Sequence, residues 1–151
     1  MFRFALVALF HGAVAVAQTP AGDPVISVVE RLFVAMRASD TAATRAAFIP
    51  AGRVLPIQSG VSTGGLSVDQ FVAFVGRNGQ GSWIERLWNP SQRVNGALAD
   101  LWFEYDVYKG ATFDHCGANA VQLQQTGDGW KIVSMAFSSA TQGCPTHPPP
   151  R

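Results

Sequence analysis

Charge is scarce in this sequence, and neither sign is concentrated anywhere along it. Of the 151 residues, 14% are Asp, Glu, Lys or Arg, and the formal net charge is +1. Domains that bind nucleic acids or anionic membrane surfaces usually carry a basic patch or stripe. We therefore expect neither nucleic acid nor a membrane surface as a partner. Hydrophobic residues make up 48% of the chain, which is enough to build the core of one domain.

The residues and motifs that hold metals and nucleotide cofactors are also scarce. The three histidines are His11, in an N-terminal apolar run, His147, in a proline-rich tail, and His115. His115 has no second histidine or free thiolate at the spacing that a zinc site needs. No glycine-rich phosphate loop follows a predicted strand, and there is no G-x-S-x-G nucleophile motif. We expect no metal and no cofactor.

The N-terminus has the pattern of a secretory signal peptide. Arg3 supplies one positive charge before a short apolar run, and Ala15-Val16-Ala17 fits the small-x-small rule for cleavage. Residues 1–17 are therefore predicted to be removed before Gln18, which would make the protein periplasmic or secreted. The run is short for a membrane span, and an uncleaved anchor is the alternative.

The remaining chain is predicted to form one domain at 18–142 and a loose, proline-rich tail at 143–151. It contains two cysteines, Cys116 and Cys144. An even number of cysteines in an exported protein indicates a disulfide. Closing a loop of about 29 residues would stabilise the fold by about 3–4 kcal/mol. The alternative is a thiolate that acts as a nucleophile or a metal ligand.

The first half of the predicted domain has the pattern of a helical region. Asp23-Pro24 is typical of a helix start, and apolar residues then recur at helical spacing to about Ala38. Ser39-Asp40 and Ser67 are the predicted caps of two further helices. The predicted elements are helices at 24–38, 41–48 and 68–76 and a short strand at 53–58.

Four longer strands are predicted in the second half, at 83–94, 97–108, 112–126 and 130–140. Asn95-Gly96, between the first two, is a strong hairpin signal. Three helices followed by such a meander indicate an α+β fold, with a cone-shaped, curved antiparallel sheet packed on three N-terminal helices. The opening of such a cone is a suitable binding site for a small ligand.

The order of these elements resembles the nuclear transport factor 2-like superfamily over essentially the whole predicted mature chain. The second half is similar to a family of exported bacterial proteins named for lumazine binding, whose strands carry ERxWNP, WxxYDxY, HCGxD and GWKI patterns. Asn119 departs from these patterns, because its position is usually Asp. The matching residues are Trp88-Asn89-Pro90, Trp102, Tyr105-Asp106, Tyr108, His115-Cys116-Gly117 and Gly129-Trp130-Lys131-Ile132.

The resemblance implies a fold and an assembly but no reaction. It implies a cone-shaped α+β barrel of the cystatin-like kind, with a pocket, often as a homodimer. The superfamily includes ketosteroid isomerases, scytalone dehydratases, limonene epoxide hydrolases and polyketide cyclases, beside many proteins that are not enzymes. The fold therefore does not determine the function.

Strand register predicts which side chains share the pocket. Two-residue turns at Asn95-Gly96 and Lys109-Gly110 keep alternate residues of three strands on one face, whereas a three-residue turn would reverse the third strand. Cys116 is predicted on the opposite face with Trp88 and Phe103, so it should not act together with a histidine one residue away. The predicted pocket residues are Trp83, Glu85, Trp102, Tyr108, Phe113 and Asn119, and the predicted catalytic pair is Asp106 and His115.

Three functions are compatible with this arrangement. The first is binding of a small, partly apolar molecule, because aromatic walls give affinity and a few polar groups orient the ligand. The second is an acid–base enzyme of isomerase, dehydratase or cyclase type, in which Asp106 orients His115. Such a pair is also typical of a purely structural hydrogen bond. The third is a homodimeric interaction module without a ligand, whose convex sheet face presents Trp88 and Phe103.

Overall fold

The computed structural model describes residues 22–61, 64–77, 83–148 and 150. The predicted signal peptide lies outside the described residues, as do parts of the loops on either side of the third predicted helix. Within the described ranges, no helix is long and apolar enough to cross a membrane.

Three helices cover one face of a sheet, and each begins close to a predicted cap. They are α1 (Ile26–Arg37), α2 (Thr41–Ala46) and α3 (Val68–Arg77). The Asp23 carboxylate accepts hydrogen bonds from backbone N–H groups at the start of α1, and Asp40 does the same for α2. Ser67 and Gln70 accept hydrogen bonds from each other's backbone N–H groups before α3, which forms a capping box.

Six strands form one curved, unclosed sheet. They are β1 (Phe48–Ile57), β2 (Leu66–Ser67), β3 (Trp83–Asn95), β4 (Leu98–Lys109), β5 (Thr112–Thr126) and β6 (Gly129–Ser138). Their order across the sheet is β2-β1-β6-β5-β4-β3, and β3 to β6 form the predicted antiparallel meander. The predicted α+β fold class is confirmed.

The strand β1 differs from the prediction in length and direction. It begins at Phe48, which the sequence pattern assigns to the second helix, and it pairs in parallel with β6. The sheet is therefore mixed rather than wholly antiparallel. The Phe48 ring is buried and meets Phe71 of α3 edge-to-face, with ring centroids 5.8 Å apart. This tertiary contact outweighs the local helical pattern.

The core lies between the helices and the face of the sheet that they cover. We call this face the inner face and the opposite one the outer face. Leu32 and Phe33 of α1 are buried, and the Phe33 ring meets Phe103 of β4 edge-to-face, with centroids 6.0 Å apart. Phe103 therefore belongs to the core, and its predicted place on the convex outer face is wrong.

Two β-bulges determine which side chains share a face of the sheet. Both hairpin turns preserve the predicted alternation of side chains. However, the register of β3 against β4 shifts between Trp88 and Ser91, and that of β4 against β5 shifts between Val107 and Tyr108. Each shift moves the following side chains to the opposite face, because the side-chain period of a strand is two.

As a result, Asp106 and His115 lie on opposite faces. Asp106 is opposite Arg86 and Cys116 on the outer face, whereas His115 is opposite Val107 on the inner face. The predicted Asp106–His115 pair is therefore wrong. The prediction that Cys116 and His115 face opposite ways is confirmed.

The C-terminal tail packs against the outer face. We call residues 139–148 the strap. A disulfide joins Cys116 of β5 to Cys144 of the strap, and the His147 ring stacks on Trp88, with centroids 4.0 Å apart. The predicted disulfide is present, whereas the expectation of a loose tail is wrong as far as residue 148.

Candidate functional site

A cavity of about 240 Å³ lies between the helices and the inner face of the sheet. Its wall is mostly apolar, since the helices contribute Met36, Phe71, Phe74 and Val75. The sheet adds further apolar side chains, among them Val107, Met135 and Phe137, together with a small set of polar ones. The polar residues on the wall are Glu85, Tyr105, His115, Asn119 and Ser139.

Half of the predicted pocket residues line this cavity, namely Trp83, Glu85 and Asn119. The other half do not, because the two bulges turn them away. Trp102 is 55% exposed. Phe113 packs edge-to-face on Tyr108, with centroids 5.6 Å apart, and the Arg86 guanidinium lies 4.9 Å from the centre of the Tyr108 ring. The prediction that these three residues line the pocket is wrong.

Asp106 forms a buried ion pair on the outer face. It is 3% exposed, and Arg86 binds it through two hydrogen bonds, Nε to Oδ1 at 2.8 Å and Nη2 to Oδ2 at 2.6 Å. The same guanidinium lies over the Trp88 ring and donates a hydrogen bond to the carbonyl oxygen of Pro148 in the strap. Asp106 therefore stabilises the contact between strap and sheet and does not reach the cavity.

Glu85 and His115 lie in one row across the inner face. Glu85 is opposite Val107, and Val107 is opposite His115. Neighbouring strands are about 4.8 Å apart, so the two backbones are separated by roughly 10 Å. A small molecule in the cavity can therefore contact a carboxyl group on one side and an imidazole on the other.

The partner of His115 is Asp114 rather than Asp106. The Asp114 Oδ2 lies 2.7 Å from His115 Nδ1, and Lys109 binds the other oxygen of the same carboxylate at 2.7 Å. Hydrogen bonds from Lys109 and His115 hold the pKa of Asp114 below its ordinary value. A carboxylate at Nδ1 fixes the imidazole tautomer and leaves Nε2 for another partner.

Glu85 has an unusual environment for a carboxyl group. No residue in the described part of the chain forms a hydrogen bond or an ion pair with it. The residue is half-buried, and its side chain lies on the wall of the apolar cavity. This burial, and secondarily the charge of Asp106, raises the pKa of Glu85 to about 8. Near neutral pH, the carboxyl group is therefore mainly protonated.

The raised pKa of Glu85 predicts how stability depends on pH. The unfolded chain loses this proton near pH 4.5 and the folded protein near pH 8, so its stabilising contribution is complete below 4.5 and lost as the pH rises to 8. Glu85→Gln removes this titration. Between pH 4.5 and about pH 8, the unfolding free energy of the variant should therefore rise by about 2–3 kcal/mol relative to that of the unmodified protein.

Urea denaturation at several pH values measures this difference. Glu104→Gln is the matched control, because Glu104 lies on the outer face, where it accepts a hydrogen bond from Asn89. We expect the control to follow the unmodified protein. An identical pH dependence in all three proteins would contradict a raised pKa of Glu85.

Tyr105 supports the cavity wall rather than offering a free hydroxyl. Its OH donates a 2.8 Å hydrogen bond to the Ser138 carbonyl oxygen, and burial, with the nearby Glu85 charge, raises its pKa. This contact depends on Gly117, since a Cβ there would lie 1.9 Å from the Ser138 oxygen and 2.7 Å from the Tyr105 ring. The ring also meets His115 edge-to-face, with centroids 5.6 Å apart.

Asn119 is the most unusual polar group of the cavity. It is 1% exposed, and neither its Oδ1 nor its Nδ2 has a hydrogen-bond partner among the described residues. A buried amide without partners destabilises a protein by about 1–3 kcal/mol, so buried amides nearly always have partners. The Asn119 side chain lies on the wall of the cavity.

Sequence reasoning misses several side chains of the site, Tyr105 and Asp114 among them. The predicted register assigns Tyr105 to the outer face, for the same reason that it misplaces Asp106. Asp114 is the sequence neighbour of His115, and that adjacency is the available signal for their contact. Among the described residues, no group of three or more His, Cys, Asp or Glu side chains is arranged to hold a metal ion.

Comparison with known proteins gives the fold of this chain. No family model matches it, and no curated protein is significantly similar in sequence. Solved structures are similar. A protein of unknown function with a cystatin-like fold from Nostoc punctiforme matches with a TM-score of 0.66 and 10% identity, over 79% of this chain and 90% of the other.

Two further solved structures have the same architecture. A nuclear transport factor 2-like protein from Novosphingobium aromaticivorans matches with a TM-score of 0.64 and 18% identity, over 80% of this chain and 82% of the other. One of unknown function from Shewanella baltica matches with a TM-score of 0.60 and 12% identity, over 79% and 93%. The chain therefore has the nuclear transport factor 2-like, cystatin-like fold.

Proposed function

We propose that this protein binds a small, partly apolar molecule in the cavity. The observation that carries the proposal is the Asn119 amide, whose donor and acceptor are both buried without partners beside an apolar space. A ligand that offers one acceptor and one donor would satisfy both atoms. The surrounding rings and thioethers would then contribute the apolar part of the affinity.

The size of the cavity limits the ligand. At about 240 Å³, it is smaller than the roughly 300–1,000 Å³ of pockets that take drug-sized molecules. A molecule of one or two small rings, or a short branched chain, is the size that fits. His115 and Glu85, on opposite sides of the cavity, add two further polar contacts.

Asn119→Leu tests the role of the amide. Leucine has a similar volume and needs no hydrogen bonds, so we expect this variant to be more stable without ligand by about 1–2 kcal/mol in urea denaturation. We also expect it to lose the bound molecule. Asn95→Ala, at the exposed β3–β4 turn, is the control and should change neither property.

Native mass spectrometry of the protein purified from its source organism measures the bound molecule. We expect a retained small molecule with the unmodified protein and little or none with Asn119→Leu. Repeated preparations without a ligand would contradict the binding function. Equal occupancy in both proteins would show that the amide does not recognise the ligand.

The same spectra test two further proposals, export and the formation of a homodimer. We propose that the protein is exported, since its disulfide suits an oxidising compartment, and the mature mass should then begin at Gln18. We propose a homodimer and membership of the exported family named for lumazine binding, both on the resemblance of the strand motifs. A monomer mass, or residues 1–17 still attached, would contradict the corresponding proposal.

An acid–base enzyme is the second candidate, with Glu85 in place of Asp106. The observation that favours it is the row of Glu85 and His115, because a carboxyl group with a pKa of about 8 can give and accept a proton near neutral pH. If the protein is such an enzyme, the retained molecule should be converted to a product when the purified protein is incubated. His115→Ala should prevent conversion without releasing the molecule.

A further inference from the structure

We propose that the cavity takes a positively charged ligand, an organic monocation such as a protonated or quaternary amine on a small apolar body, with Glu85 as its counter-ion. The inference rests on the proposed function, because it names the class of molecule bound at the same site. It starts from a carboxyl group that lines an apolar cavity and has no partner among the described residues.

Arg86 and Lys109, the basic side chains on neighbouring positions of β3 and β4, already have other partners. Arg86 follows Glu85 in sequence but faces the other side of the sheet, where it binds Asp106 through two hydrogen bonds. Lys109 pairs with Asp114 at 2.7 Å. The negative charge of Asp106, on the other face of the sheet, also favours a cation near Glu85. Apart from a proton, a ligand is therefore the available source of a neutralising charge.

Among the described residues, the other titratable groups on the cavity wall do not pair with Glu85. His115 is held by Asp114 at the far side of the cavity, and the Tyr105 hydroxyl donates to the Ser138 carbonyl oxygen. The surfaces of α1 and α3 that line the cavity are apolar. Within the described residues, the cavity wall therefore holds one carboxyl group that has no hydrogen bond or ion pair.

The cavity wall also suits an organic cation. Trp83 and Phe74 meet edge-to-face, with centroids 6.4 Å apart, and both line the space next to Glu85. Aromatic faces attract ammonium groups through their quadrupoles. The Trp83 ring already accepts one cation, since the Lys109 Nζ lies 4.9 Å from its centroid. A carboxylate beside aromatic rings favours an amine over a neutral molecule of the same shape.

A cationic ligand must displace the proton of Glu85, and this gives the binding a defined pH dependence. Below about pH 8 the carboxyl group is protonated in the free protein. The dissociation constant of a permanently charged ligand should therefore fall about tenfold for each pH unit gained towards 8 and then level off. One proton should be released for each cation bound at the lower pH values.

Titration calorimetry with phenyltrimethylammonium tests the inference, and tert-butylbenzene serves as its neutral counterpart of the same shape. We expect the ammonium probe to bind at least tenfold more tightly than the neutral one at pH 8. Glu85→Gln should remove that preference and the pH dependence. Glu104→Gln, on the outer face, should keep both. Urea denaturation establishes that each variant is folded.

Three results would overturn the inference while leaving the proposed function intact. The first is tighter binding of tert-butylbenzene than of the ammonium probe. The second is a neutral molecule retained in the native mass spectra while the ammonium probe fails to bind. The third is an ammonium affinity that is unchanged in Glu85→Gln. If neither probe binds and the spectra show no ligand, both the inference and the binding function are wrong.

Discussion

Arg86→Met is expected to destabilise the fold by about 3–5 kcal/mol, because it leaves a buried aspartate without its counter-ion. Asp106 is 3% exposed, and the Arg86 side chain retains 19% exposure. Methionine keeps the length of the apolar stem but supplies none of the hydrogen bonds. The contacts of the guanidinium with Trp88 and with Pro148 of the strap are lost at the same time.

The ion pair between Arg93 and Asp100 provides a matched control. Its geometry is similar, with Nη2 and Oδ2 2.7 Å apart, but its side chains are 86% and 42% exposed. Exposed pairs contribute less than about 1 kcal/mol, so Arg93→Met should change the unfolding free energy little. Urea denaturation of both variants measures the contrast, and equal losses would contradict it.

A second substitution separates the loss of a partner from the loss of the pair. Combining Arg86→Met with Asp106→Leu replaces both charges by apolar side chains, and such replacements are often neutral or stabilising. We expect the double variant to recover most of the stability that Arg86→Met loses. If the double variant stays as unstable as Arg86→Met, the pair would be favourable in itself rather than merely costly to break.

Removal of the disulfide is expected to have the next largest effect. In the chain-entropy model, a loop of about 29 residues gives about 3–4 kcal/mol, so replacing Cys116 and Cys144 together by alanine should lower the unfolding free energy by that amount. The same change should free the strap. Limited proteolysis should then cleave within 139–148 in the alanine variant before it cleaves the sheet.

The expected result depends on the covalent link rather than on the other contacts of the strap. Those contacts are the stack of His147 on Trp88 and the hydrogen bond from Arg86 to Pro148. If the double alanine variant stays within about 1 kcal/mol of the oxidised protein and keeps its strap protected, these contacts would be sufficient by themselves. His147→Ala in the oxidised protein measures the contribution of the stack to the unfolding free energy.

The helices and the meander are predictable because their signals are local. Asp40 and Ser67 cap helices where the sequence indicates, and the β3–β4 turn lies at Gly96-Ala97, one residue after the predicted Asn95-Gly96. The parallel pairing of β1 has no such signal, since its partner β6 lies about eighty residues away along the chain. Met36 of α1 likewise shares the cavity wall with sheet residues that are far from it along the chain.

The candidate site is predictable in composition but not in arrangement. Glu85, His115 and Asn119 line the cavity, yet the predicted partner of the histidine lies on the other side of the sheet. One of the two bulges has a local signature. Asn89 has a positive φ of 49°, a conformation that asparagine tolerates well, and the following Pro90 cannot donate a hydrogen bond to a neighbouring strand. The other bulge, at Asp114 in β5, carries no comparable mark.

The disulfide has a consequence for the order of folding. Cys116 and Cys144 enclose a covalent ring that contains most of β5 and the whole of β6. In the oxidised unfolded chain, these two strands remain tethered at both ends of their hairpin, so part of the search for their register is already restricted. The hairpin is therefore the natural nucleus on which β4 and, from far along the chain, β1 can assemble.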